Sequence, residues 1–236
     1  MKLSYFTAKL QTTAPLHIGI GRDNDFTDAV FRRSGAGQPV IPGSSLAGAL
    51  RAIARQLAPW LHPSRQSELC RAMQSQANNT GDLCGCLVCR IFGDCGQQSE
   101  QQHGAGQLAA GRGQLASKVW VYDALPDSVV SDSAATVAYR EFVGINRHSG
   151  AAQNGAKFDL EAVTEGTVFR LVLKAENLTP DEVGLMAAVL AEWQEGRARI
   201  GGRSSRGYGA FLLQDVQVRH WDLTEPSQLM TYLGTD

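Results

Sequence analysis

The sequence predicts an α+β fold in which a βαββαβ unit carries two inserted segments. Three observations predict it. Residues 3–13 alternate with a period of two, as a strand does. Two later stretches recur at helical spacing behind clear start signals at Ser44 and Thr179. All five cysteines fall in one intervening stretch that follows neither pattern.

The elements follow in order. Leu3, Tyr5, Thr7, Lys9 and Gln11 alternate with Ser4, Phe6, Ala8 and Leu10, giving the first strand. A Gly-rich loop, His17–Gly21, leads to the acids Asp23, Asp25 and Asp28, then to a short strand, Ala29–Arg33. Ser44 opens a helix with Leu46, Leu50, Ile53 and Leu57 at helical spacing, and Pro59 ends it. Residues 59–116 read as a Cys-rich insertion whose stretch 97–113 is Gln/Gly/Ala-rich. A strand resumes at 118–122. An extended segment, 136–145, runs into a polar stretch that reads as a protruding hairpin over 144–157. Thr167–Ala175 is a strong strand. Thr179 caps a second helix, with Pro180 at its first position and Glu182 closing a capping box. Leu185, Val189 and Trp193 line its buried side. A final strand spans 209–218. Without the insertions, this is the ferredoxin-like order of elements within a single domain, residues 1–236.

Composition narrows the function. The chain has 236 residues, 43% of them apolar, and a net charge of −1. It is globular, and its global charge announces no polyanion partner. The kind of cation is more telling: 17 of the 22 basic residues are Arg. Arg offers a planar fork that matches phosphate bidentately. Five of these Arg, including Arg51 and Arg55, lie in the acid-free stretch from Ala29 to Ser67, and four lie in another from Arg197 to Phe211. The alternating N-terminus is unlike a signal peptide, and no apolar run reaches the ~18 residues of a membrane span. A cytoplasmic protein is expected, with cysteines as metal ligands or buried thiols.

Two segments offer phosphate chemistry. Gly43, Ser44 and Ser45 begin the first helix, where free N–H groups attract anions. The loop Ile200–Gly209 holds Gly201, Gly202, Arg203, Ser204, Ser205, Arg206 and Tyr208. Its glycines permit positive φ and close backbone approach, its Ser and Arg residues supply donors, and Tyr208 offers a stacking ring. The GxxxxGK[ST] pattern is absent, so this is not a nucleotide P-loop. Plain helix capping and a plain Gly-rich connector are the structural alternatives.

Leu16–Gly19, Pro39–Leu46 with Gly48 and Arg51, Ile91-Phe-Gly93 and Gly201–Gly209 together resemble the RAMP superfamily of CRISPR proteins. More narrowly, they resemble the repeated backbone subunit of type III effector complexes. The resemblance implies a modified RRM-like fold that stacks with neighbouring backbone copies and other effector subunits along a CRISPR guide RNA. It implies a thumb hairpin at about 144–157, bearing Arg147, that presses into the guide–target duplex. It also implies an Asp that cleaves paired target RNA with Mg²⁺ or Mn²⁺. That Asp falls on Asp28, with Asp23 and Asp25 close enough to leave the register open. Three solvated loop acids, in a non-catalytic RNA-binding scaffold, are the alternative. A guide-processing ribonuclease is disfavoured, because the Gly-rich loop has no His or Lys. Many relatives carry Lys where this chain has Ala47, and Arg51 or Arg55 is expected to substitute for its guide contact.

The cysteines read as Cys70, then Cys84, Cys86 and Cys89, then Cys95. Cys86 and Cys89 form CxxC, which suits two corners of a tetrahedral Zn²⁺ site. Cys84 and Cys70 are expected to complete it, with His62 and Cys95 as competitors. Such a zinc would be structural, folding an insertion too small for a core of its own.

Overall fold

The computed structural model describes residues 1–21, 27–61, 84–93, 115–127 and 137–234. They form a mixed α+β fold around a four-stranded antiparallel sheet. Strand β1 (Lys2–Thr12) lies inside the sheet, paired along both edges, and its two faces differ. Ala8 and Leu10 are buried in the core, while Lys9 pairs with Asp215 on the other face. β1 is flanked by β5 (Val168–Glu176) and β6 (Phe211–Asp222), and β2 (Val119–Val121) adds to β5. The order across the sheet is β2-β5-β1-β6.

Helices α1 (Gly43–Leu61) and α3 (Pro180–Gln194) pack together and cover the core face. Leu46, Leu50 and Ala54 give α1 its buried stripe; Ile53 and Leu57 sit at its margin. The helix continues through Pro59 to Leu61, beyond its expected end. α3 starts as its sequence predicts. Thr179 and Glu182 form the full capping box, and Leu185, Val189 and Trp193 are buried. Glu182 does more than cap: fully buried, it also takes Lys118 Nζ at 2.8 Å. Arg90 Nε, from the short helix α2 (Leu87–Phe92), approaches it at 3.5 Å.

A second, two-stranded sheet pairs β3 (Val137–Ile145) with β4 (Ala152–Val163). The ladder runs from Val137↔Val163 to Ile145↔Ala152, so the hairpin is longer than 144–157. The expected strand Ala29–Arg33 makes only isolated bridges, Gly19↔Phe31 and Arg33↔Pro39. The Arg32 N–H makes the bridge bond to the Ile18 carbonyl at 2.8 Å, and that of Phe31 donates to the Glu161 carboxylate at 2.9 Å. A last helix, α4 (Pro226–Tyr232), packs on β6 with Tyr232 edge-on to Trp221. Among the described residues no helix is long and apolar enough to cross a membrane.

Candidate nucleic-acid interface

The Gly-rich loop folds back on the chain before it can face a ligand. Gly201, at φ +84°, lies so close to the His17 carbonyl that a Cβ would collide with it. Gly202 N–H then donates to that carbonyl at 2.9 Å. Gly209, at φ +78°, crosses the Ile200 carbonyl just as closely. These glycines therefore serve contacts within the protein. Ser204, Ser205 and Arg206 form one exposed turn of 3₁₀ helix. Among the described residues, the N–H groups of Ser204 and Ser205 meet no backbone acceptor. This turn is the part of the loop that presents donors outward.

Two residues of the loop, Tyr208 and Arg203, contact the β3–β4 hairpin. Tyr208 is buried against Leu160 and Ala162 and tilted against Phe142, so it is a core residue and not a stacking platform. Arg203 sits in the left-handed region, at φ 61°. Its guanidinium lies 4.7 Å from the Phe158 ring centroid and 5.6 Å from that of Phe142, which stack on each other. A cation over paired ring faces is held by their quadrupoles. Arg203 thus fastens the loop to the middle of the β3–β4 hairpin. Arg206 remains the outward cation.

The start of α1 is also partly engaged. Gly43 is buried against the backbone of β2, where a Cβ would strike the Val121 carbonyl. Its N–H donates to Asp123 at 2.7 Å. Ser45 N–H returns to the Pro42 carbonyl at 2.9 Å. Gly43 is a packing residue here, and Ser44 is the exposed member of the trio. Arg51 turns away from this end: its Nη2 donates to Cys89 Sγ at 3.4 Å. Arg55 encloses its Nε with no hydrogen-bond partner among the described residues. Both side chains are half-buried. Arg147 is exposed, at the hairpin tip. There the Asn146 side chain shapes the turn by accepting from His148 and Ser149 N–H.

Asp28 is exposed beside β4. Its N–H donates to Asp159 Oδ1 at 2.8 Å, and its Oδ2 accepts from Asp159 N–H at 2.9 Å. The Thr27 hydroxyl adds a third bond to Asp159 Oδ1 at 2.8 Å. Donation from the Asp28 N–H, then from Thr27, holds the Asp159 carboxyl below the usual Asp range. One residue pair along, buried Glu161 takes Phe31 N–H and Arg33 Nη2, the latter at 3.2 Å. The Glu161 carbonyl meets His17 Nδ1 at 2.7 Å, consistent with a packing role for this histidine. Asp23 and Asp25 lie outside the described residues.

Cys84, Cys86 and Cys89 are all buried, with sulfurs within 4.8 Å of one another. Cys86 also caps α2 by accepting from Cys89 N–H at 3.4 Å. A buried trio of soft donors with N–H groups aimed at its sulfurs fits a thiolate metal site. Cys70, His62 and Cys95 lie outside the described residues.

The loops at both ends and the chain between them match one family model, described as the RAMP superfamily, over residues 9–211. The chain belongs to the RAMP superfamily. It is a CRISPR-associated, RNA-binding protein of a family that works with CRISPR RNA and other CRISPR-associated subunits. A search of curated proteins finds no match. In this RAMP protein the 3₁₀ turn, the α1 start and the β3–β4 hairpin each bear exposed donors, and β4 contacts the loop that holds the 3₁₀ turn.

Proposed function

We propose that this RAMP protein is a backbone subunit of a type III CRISPR effector complex that cuts guide-paired target RNA with Asp28. The observation that carries the reading is the placement of Asp28, an exposed carboxylate fixed against the middle of the β3–β4 hairpin. Among the described residues no hydrogen bond reaches its Oδ1. The sheet order β2-β5-β1-β6 supports a modified ferredoxin-like core. Base pairing supplies sequence specificity, and the protein holds backbone. Ser44, Ser204, Ser205 and Arg206 offer phosphate donors, and Arg147 carries a cation on the thumb. A bound Mg²⁺ or Mn²⁺ would supply Lewis acidity at the scissile phosphate. Asp28 would hold that ion, or accept the proton of an attacking 2′-hydroxyl. Cys84, Cys86 and Cys89, with Cys70, would hold a structural Zn²⁺.

The Asp159 N–H bond to Asp28 Oδ2 also favours a second reading. In it, Asp28 only closes its loop and the subunit is a non-catalytic scaffold. One preparation decides. Effector complex assembled with Asp28→Ala subunits should retain guide and target but lose target cleavage, as should wild-type complex in EDTA. Cleavage at the wild-type rate would leave the scaffold reading standing. Metal analysis of the same complex should find zinc in proportion to this subunit.

A further inference from the structure

Asp159 holds the segment around Asp28 by side chain and main chain at once. Its Oδ1 is a shared acceptor for the Thr27 hydroxyl and the Asp28 N–H, both at 2.8 Å. Its N–H donates to Asp28 Oδ2 at 2.9 Å. The two residues therefore clasp each other, and the clasp lies 131 positions apart in the chain. Two donors converging on one oxygen call for an oxygen with two free lone pairs, which a carboxylate or an amide carbonyl supplies. Ion pairing and burial do not explain the residue. Asp159 makes no ion pair among the described residues, whereas its neighbours Lys157 and Glu161 do. Its strand position aims it away from the apolar contacts of Phe158 and Leu160. We propose that Asp159 is a positioning residue for Asp28: it fixes the Thr27–Asp28 backbone and one carboxylate oxygen, so that the other oxygen is presented in one orientation before RNA arrives. This rests on the reading of Asp28 as the cutting carboxylate and adds the residue that aims it. Preset orientation matters because small misplacements of a reacting group cost rate steeply.

The test uses Asp159→Ala and Asp159→Asn, the second keeping an Oδ1 acceptor without the charge. In the full chain, amide hydrogen exchange at Asp28 should quicken by about 10-fold or more in Asp159→Ala and stay near wild type in Asp159→Asn. In the assembled complex under single turnover, Asp159→Ala should slow target cleavage by roughly 10- to 100-fold with target affinity unchanged. Asp159→Asn should restore cleavage to within about 3-fold. Wild-type exchange at Asp28 in Asp159→Ala would overturn the proposal. So would unchanged cleavage in Asp159→Ala where Asp28→Ala is inactive. Cleavage lost equally in Asp159→Asn despite a protected Asp28 amide would overturn it too, by showing that charge and not aim is required. If Asp28→Ala itself cuts normally, the reading of Asp28 fails instead, and the exchange measurement still judges the clasp.

Discussion

Strand β4 meets two candidate RNA elements with its two faces, and holds each by a different force. Toward the Gly-rich loop it offers Phe158, Leu160 and Ala162, which take Arg203 and Tyr208 by ring stacking and apolar burial. Toward residues 27–33 it offers Asp159 and Glu161, which take N–H and hydroxyl donors one by one, while Ala29 of that segment also touches the apolar cluster. Alternation along a strand makes this division possible. Burial is strong and non-directional, so it fastens a loop without specifying the aim of any one atom. Hydrogen bonds to carboxylate oxygens are directional, so they set orientation. The comparison teaches that one face of β4 supplies stability and the other supplies aim. Damage to the first should show in unfolding, and damage to the second in geometry at Asp28.

Leu160→Ala offers the largest effect. Leu160 is fully buried beside Tyr208, and leucine-to-alanine changes in such cores cost about 2–5 kcal/mol. Urea unfolding of the full chain should register that loss, while the Asp28 amide in the folded variant stays protected. A loss under about 1 kcal/mol would show that the apolar face contributes no more than an ordinary surface. Exposure of Asp28 in the folded variant would show that the two faces are not separable.

A smaller effect divides the two arginines of the loop. Arg203→Ala removes a cation over two rings and should lower stability by about 0.5–2 kcal/mol. It should leave the salt dependence of RNA binding nearly intact. Arg206→Ala should leave stability within about 0.5 kcal/mol of wild type. It should instead reduce the salt slope of RNA binding by about one. If Arg203→Ala flattens the slope as much as Arg206→Ala, the guanidinium leaves its rings to bind phosphate, and the assignment of this face to stability breaks.

What the sequence disclosed, and what it hid, divides by the range of the interaction. The α3 cap was legible because Thr179, Pro180 and Glu182 are neighbours with a mechanism of their own. The buried stripe of α1 was legible as periodicity. Glu182 was legible only as a cap, because Lys118 lies 64 positions away. The Asp28–Asp159 clasp spans 131 positions and leaves only a weak signal, two acids alternating with Phe158 and Leu160 in an extended segment. Tyr208 looked exposed because it is flanked by glycine, yet those same glycines let the loop fold inward and bury it. Arg51 was legible as a cation two turns into α1, but its contact with Cys89 Sγ, which depends on the packing of α1 against α2, was not. Residue type was readable throughout, and direction was readable only where local rules fixed it.

The smallest effect tests whether the polar face behaves as a carboxylate clasp. The Asp28 N–H and the Thr27 hydroxyl hold the Asp159 carboxyl below its ordinary range, with help from Lys157. Its pKa in the folded chain is therefore lower than the unfolded value of about 3.9. A group lowered in this way contributes stability that is full above the unfolded value and is lost as pH falls through the folded one. The clasp should accordingly be intact at neutral pH and weaken only below about pH 4. Acid titration followed by the carboxyl-carbon resonance of Asp159 should give a midpoint below that of an ordinary Asp, while the ring resonances of Phe142 and Phe158 hold still. Replacing Thr27 by Val removes one donor and should move the midpoint up without erasing the shift, since the Asp28 N–H remains. A midpoint at or above the ordinary value would mean that the two donors do not hold the oxygen in solution, and that β4 aims nothing on this face.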